Sequence, residues 1–156
     1  KLRDLKKKLD LLRRQKRVVA FTNGCFDILH YGHVSYLEAA KKKGRVLIVG
    51  MNSDASVRSL KKGPERPIVP QQQRAAVLAG LACVDFVILF DEPTPARLIA
   101  AIQPDVLIKG ADWKGREVAG ADRVKAHGGR VEFITYVDRI STTNIIEKIR
   151  RQCLAL

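Results

Sequence analysis

Two of the three histidines in this chain, His30 and His33, fall three residues apart in the stretch NGCFDILHYGH. In a helical turn that spacing sets two imidazoles side by side. A helix start also presents free N–H groups and the positive end of its dipole, so a phosphate belongs there. Such a site can bind a nucleotide and stabilise charge at a phosphorus under attack without forming a covalent intermediate. The plainer alternative makes the pair a polar cap and a core-edge residue. Gly24, Phe26, Asp27 and Gly32 surround the histidines at coherent spacing, which favours the phosphate site. Asn23-Gly24 ends the preceding apolar run with a turn. Cys25 has no His and Asn partners at a recognisable nucleophile spacing and reads as a small packing residue whose backbone approaches the ligand.

Other residues further along could meet the same anion. Lys61 and Lys62 open the charged, turn-rich loop KKGPERP, which can move over a bound phosphate; either lysine neutralises charge there or serves only solubility. Arg74 lies beside the apolar face of Val77, Leu78 and Leu81, where a guanidinium needs a carboxylate or phosphate partner. Lys109-Gly110-Ala111-Asp112-Trp113 directly follows an apolar run. Trp113 either stacks on a base or sugar or plugs the core. Ser141, Thr142 and Thr143 open the last helix, an ordinary capping pattern that also makes a second phosphate-facing helix start.

These groups need a frame, and the apolar runs supply it. Strands are expected over Val18–Phe21, Val46–Met51, Val84–Phe90, Val106–Ile108 and Val131–Tyr136. Helices are expected over His33–Lys43, over Ala55–Leu60 behind the cap Asn52-Ser53-Asp54, from Pro70 onward, over Thr94–Ile102 with Thr94 as cap, and over Asn144–Arg150. Strands alternating with helices imply an α/β domain with one five-stranded parallel sheet and helices on both faces. Ligands in such sheets bind beyond the carboxyl ends of the strands, where Lys109 to Trp113 must lie. No repeat, linker or low-complexity segment divides the chain, so residues 1–156 read as one domain, with an N-terminal helix in 1–17 and the α/β core in 18–152.

Size and charge agree. The 156 residues, 46% of them hydrophobic, suffice for one sizeable core. The formal charge of +13 suits anionic partners of any kind, and Lys1 to Arg17 alone holds nine basic residues against two acidic ones. Leu2, Leu5, Leu9 and Leu12 recur there at helical spacing. That pattern reads as an apolar stripe docked under a solvated face; a membrane-surface or nucleic-acid arm is the alternative, disfavoured because aromatic anchors are absent. The helix also makes a homodimer an expectation. Cys25, Cys83 and Cys153 are odd in number and widely spaced, so neither a disulfide framework nor a zinc site is expected, and a reducing cytoplasm is the simplest compartment. No apolar run approaches the roughly 18 residues that span a bilayer, and no signal peptide is visible.

GCFDILHYGH resembles the G-x-F-D-x-x-H-x-G-H signature of the cytidylyltransferase-like nucleotidyltransferases, and Ile140 to Thr143 is similar to their I-S-S/T-T motif. Within that family the chain looks most like the branch of heptose 1-phosphate adenylyltransferases (ADP-heptose synthases). FTNGCFDILHYGHVSYL, NSDASVRSLK, ERP, VDFVILFDEPTP, PDVLIKGADW, VAGADRV, GG and STTNII follow that pattern in order. The resemblance implies a Rossmann-like fold and the transfer of AMP from ATP to heptose 1-phosphate, for lipopolysaccharide inner-core precursors. Mg²⁺, held mainly through nucleotide phosphates, and a fused or separate heptose kinase are implied with it.

By the same resemblance, His30 and His33 contact the reacting phosphates, and Lys61, or equally Lys62, is the mobile lysine. Arg74, Ser141, Thr142 and Thr143 hold the β- and γ-phosphates. Asn23, Gly24 and Gly32 belong to the nucleotide site, Cys25 and Phe26 offer backbone to the nucleotide, and Lys109, Gly110, Asp112 and Arg139 surround base or sugar. Asp27 either faces the sugar phosphate or braces the turn. Trp113 stands where many members have tyrosine. The absence of a kinase segment implies a stand-alone enzyme or an excised domain. A CTP-dependent enzyme acting on glycerol 3-phosphate or phosphoethanolamine shares GCFD and HYGH, and a basic nucleic-acid-binding module is the alternative of another class.

Overall fold

A computed structural model of the chain describes residues 2–42, 45–60, 63, 65–135 and 140–154. The elements run α1 (Leu2–Arg14), β1 (Val18–Gly24), α2 (Tyr31–Lys41), β2 (Arg45–Asn52), α3 (Asp54–Ser59), α4 (Gln71–Ala79), β3 (Phe86–Phe90), α5 (Ala96–Ile102), β4 (Val106–Gly110), a 3₁₀ turn (Ala111–Trp113), α6 (Ala121–Ala126), β5 (Arg130–Ile134) and α7 (Thr142–Cys153). The strands form one parallel sheet in the order β3-β2-β1-β4-β5. β1 is central: Val18–Gly24 pairs with Arg45–Met51 on one side, and Ala20 and Phe21 with Val106 and Leu107 on the other. The chain order reverses direction between β1 and β4, and their carboxyl ends open a crevice at that switch point.

Each face of the sheet carries its own core. On one, Leu5 and Leu9 of α1 and Leu98, Ile99 and Ile102 of α5 cover Val19, Phe21 and Leu107, with Val124 of α6 beside them. On the other, Tyr36, Leu37 and Ala40 of α2 and Leu78 of α4 cover Ala20, Leu47, Val49, Val106 and Ile108. The central strands are hydrophobic in both directions because both faces are covered. α1 therefore does what its leucine spacing predicts, and Arg13 fastens its end by donating to the carbonyl of Ile102 at 2.5 Å. The buried leucines of α1, Leu5 and Leu9, are used inside the chain.

Several boundaries differ from the sequence expectation. β1 and β4 run on to Gly24 and Gly110, because parallel pairing with β2 and β5 continues past the apolar residues. Thr94 is not the cap of α5: Pro95 occupies that position and no side chain caps the helix. β3 begins at Phe86, since Val84 closes a turn onto Leu81. α2 begins at Tyr31 and α7 at Thr142, each two residues before the expected start. The 3₁₀ turn and α6 had no periodic signal. Ser53 caps α3 as expected, accepting from Ser56 N–H at 3.2 Å. Among the described residues no helix is long and apolar enough to cross a membrane.

Candidate active site

The loop between β1 and α2 is held in an uncommon shape. Phe26 and Ile28 both take φ of 48°, a left-handed conformation that costs about 1–2 kcal/mol per non-glycine residue. Contacts on every side impose it. The Phe26 ring lies so close over Gly24 that a Cβ there would sit 3.1 Å from it, and the same ring meets the His33 imidazole with centroids 5.3 Å apart. Asp27, fully buried, accepts from Arg66 Nε at 2.6 Å and from the N–H groups of Ile68 and Val69, each at 2.9 Å. Burial pushes its carboxyl up, but the Val69 and Ile68 N–H groups and the Arg66 guanidinium outweigh that and hold it below the usual carboxylate value. Asp27 thus braces the loop, with its carboxylate already engaged by protein donors.

His30 is the N-cap residue of α2, with extended backbone, and its side chain makes no capping bond. It stacks instead on His33, with ring centroids 3.8 Å apart and planes 25° apart. Its Nδ1 is buried and has no hydrogen-bond partner among the described residues. Burial favours the neutral ring and pulls the His30 pKa below its ordinary 6.5. Gly32 lets the two rings meet, because a Cβ there would lie 3.1 Å from the His30 ring.

A cleft of about 660 Å³ opens at the carboxyl ends of β1 and β4. Asn23, Gly24, Cys25, Phe26, Asp27 and His33 line it from the first strand and its loop. Lys109, Gly110, Asp112 and Trp113 line it from β4 and the 3₁₀ turn, and Thr142 and Thr143 from the start of α7. Ser141 caps α7 by accepting from Asn144 N–H at 3.1 Å, and Thr142 donates to the carbonyl of Asp27 at 2.6 Å. The two helix starts are thereby fastened to one loop. Lys109 Nζ donates to Asn23 Oδ1 at 2.6 Å, and burial pulls its pKa down to about 8 against a smaller opposing effect of Asp112. Trp113 is 38% exposed, which rules out a core plug.

Arg74 is buried as its position on α4 predicts, but it does not line the cleft. It donates to Asp54 Oδ1 at 2.6 Å and to the carbonyls of Asn52, Val69 and Cys25. The partner the guanidinium needs is a carboxylate of the chain. Lys61, Lys62 and Arg139 lie outside the described residues. Sequence reasoning missed Arg66, Tyr36 and Asn52 among the lining residues. Tyr36 stands one helical turn after His33, the only local signal for any of them, and bonds Thr22 Oγ1 at 2.7 Å.

Residues 21–148 match the family described as cytidylyltransferase-like. The chain is 53% identical over 148 residues to the bifunctional protein HldE of Syntrophotalea carbinolica, covering 95% of this chain and 29% of that protein. To the bifunctional protein HldE of Geotalea uraniireducens it is 60% identical over 137 residues, covering 88% of this chain and 28% of that protein. The chain thus spans under a third of the length of these relatives. Its fold is similar to the crystal structure of the lipopolysaccharide core biosynthesis protein from Thermoplasma volcanium, with TM-score 0.64 and 29% identity over 79% of this chain and 98% of that one. Pantothenate synthetase from Thermus thermophilus shares the fold alone, at TM-score 0.57 and 18% identity over 88% of this chain and 65% of that one. With His33 and the start of the last helix lining one cleft, and the match over residues 21–148, the chain belongs to the cytidylyltransferase-like family of nucleotidyltransferases.

Proposed function

We propose that the chain transfers AMP from ATP to heptose 1-phosphate, forming ADP-heptose and pyrophosphate. One observation carries the chemistry: the starts of α2 and α7 are tied to the same loop by the Thr142 bond to Asp27, with His33 and Thr143 lining the cleft between them. Two helix N-termini and a stacked imidazole pair suit a polyphosphate that gains charge at its leaving end. His30 and His33 stabilise that charge, Ser141, Thr142 and Thr143 hold the β- and γ-phosphates, and Lys61 or Lys62 closes over them. Asn23, Gly24, Cys25 and Phe26 present backbone to the nucleotide, Gly32 makes room for His30, and Gly110, Asp112 and Arg139 surround base or sugar. Arg74 acts as a positioning residue, through Cys25 and Asn52.

Among the described residues no group of three or more His, Cys, Asp or Glu side chains could hold a metal ion, and Asp27 and Asp112 are the carboxylates lining the cleft. Asp27 is engaged by Arg66 and two N–H groups, which leaves it without a free carboxylate oxygen pair to offer a cation. A divalent cation would arrive on the nucleotide's phosphates. Heptose and adenine rest on the sequence resemblance, with which relatives named bifunctional and a neighbour named for lipopolysaccharide core synthesis agree. The same reading gives a heptose kinase, fused or separate, as the supplier of the acceptor and the cytoplasm as the compartment.

Pyrophosphate release is the test, with ATP or CTP offered against heptose, glycerol and choline-type phosphates. Turnover with ATP and heptose 1-phosphate is expected; turnover with CTP alone, or none with a heptose phosphate, overturns the assignment. His33→Ala should lower kcat by on the order of a hundredfold or more.

A further inference from the structure

The pleat of the sheet decides to which wall of the cleft each strand-end residue belongs, because successive side chains of a strand face opposite sides. In β4, Val106 and Ile108 pack toward α2 and α4, and Leu107 packs toward α1, α5 and α6. Lys109 has the parity of Leu107. In β1, Thr22 turns toward α2, where it bonds Tyr36, and Asn23 has the parity of Val19 and Phe21 on the α5 side. Lys109 and Asn23 therefore leave their strands on the wall opposite the histidines, and they meet there at 2.6 Å. Thr94 and Pro95 at the start of α5 belong to the same wall of the cleft.

The charge on that wall is the telling quantity. Lys109 is 7% exposed, and a buried ammonium is costly unless an anion offsets it. Its neighbours are a neutral amide oxygen and the Trp113 ring, whose centroid lies 4.9 Å from Nζ. Among the described residues no carboxylate comes within ion-pair reach of it, and Asp112 acts on it only from farther off. Among the described residues the other Lys or Arg lining the cleft, Arg66, is paired with Asp27. An ammonium has three donors, and one of them is given to Asn23.

Geometry says which anion. In-line phosphoryl transfer puts the attacking and leaving oxygens on opposite sides of the phosphorus. With the leaving pyrophosphate drawn to the starts of α2 and α7, the attacking group arrives from the α5 wall. We infer that Lys109, held in place by Asn23, binds the phosphate of the acceptor and aims one of its oxygens at the α-phosphorus of the nucleotide. The inference rests on the AMP-transfer reading above and moves Lys109 from the nucleotide to the acceptor. In the step, a P–O bond forms between the acceptor oxygen and the α-phosphorus. The bond from that phosphorus to the bridging oxygen breaks, and pyrophosphate leaves with the electron pair. Lys109 keeps its proton. The wall selects a phosphomonoester; a neutral hydroxyl acceptor would leave the ammonium without a counter-charge.

The test compares the chain with its Lys109→Met and Lys109→Arg variants by calorimetry. A non-hydrolysable ATP analogue is titrated first; heptose 1-phosphate, and separately glycerol 3-phosphate, are then titrated onto the analogue-saturated protein, with pyrophosphate release followed in parallel. Lys109→Met should weaken the bound phosphomonoester and raise its KM by about tenfold or more, with analogue affinity within about twofold, and Lys109→Arg should recover most of the loss. Weakened analogue with unchanged acceptor, or no change in either, overturns the inference. If both ligands weaken in Lys109→Met, Lys109→Arg decides: loss of the acceptor there too overturns it. A wild-type chain that binds glycerol 3-phosphate but does not turn over heptose 1-phosphate refutes the heptose assignment alone, and one that binds no phosphomonoester refutes both.

Discussion

The hydroxyl of Thr142 donates to the main-chain carbonyl of Asp27 across 2.6 Å, joining the first turn of the last helix to the loop after the first strand. The carboxylate of the same residue holds Arg66, Ile68 and Val69. One buried residue thus ties three segments of the cleft wall together. Asp27→Asn keeps the shape and removes the charge, leaving Arg66 buried without a carboxylate. Urea denaturation should show a loss of about 3–5 kcal/mol, as for other broken buried pairs. A loss below about 1 kcal/mol would contradict the bracing role.

Arg74 offers a second separation of structure from binding. Its guanidinium joins Asp54 to the carbonyls at the ends of β1 and β2. Arg74→Met should cost on the order of 3 kcal/mol, because Asp54 and several carbonyls lose their donor together. Where the protein remains folded, kcat should fall with the displaced loop. A variant of unchanged stability whose KM for ATP alone rises would restore Arg74 to the phosphates.

Gly32→Ala tests the histidine pair without touching either ring. The added methyl would lie 3.1 Å from the His30 ring and 3.4 Å from the carbonyl of Ile140. The His30 ring must give by a few tenths of an ångström, while alanine favours the helix by up to about 1 kcal/mol over glycine. The expected outcome is a kcat lowered by about tenfold with Tm held or slightly raised. Unchanged turnover would mean that the stacking is incidental.

Arg45, the first residue of β2, donates to both oxygens of Glu132 in β5, at 2.5 and 2.9 Å. Those bonds lower the Glu132 pKa most; burial opposes them, and Arg130 and Lys42 add to the lowering, which brings it from 4.5 to about 2. A carboxyl with a depressed folded-state pKa contributes stability that is complete above its unfolded value and lost as pH falls toward the folded one. The stability of the wild type should therefore drop between pH 4.5 and about 2. Glu132→Gln should be less stable at pH 7 and flatter over that acid range in thermal melts, and an unchanged acid limb would count against the pair.

Local signals carried most of what could be read from the chain. His30 and His33 were legible because their relation is contained in one turn of helix, and the strand that carries Lys109 was legible from its apolar run. The carboxylate partner of Arg74 was not: the sequence demands an anion for it, but Asp54 and a bound phosphate satisfy that demand equally on paper. Arg66 was missed because its reason for burial is Asp27, 39 residues away. α6 has six residues, too few for a periodic pattern to rise above chance. Thr94 failed as a cap because the choice between it and Pro95 rests on backbone angles, and both residues are common at helix starts.

The central place of β1 also bears on how the molecule is made. Val18–Gly24 is the earliest strand in the chain, yet it needs β2 on one flank and β4 on the other, the latter starting only at Val106. While the residues between β2 and β4 are being made, one edge of an apolar strand has no permanent neighbour, and pairing over such separations is slow and prone to association with other chains. Leu5 and Leu9, which precede the strand and pack on its α5 face, give the nascent chain an early cover for part of that surface.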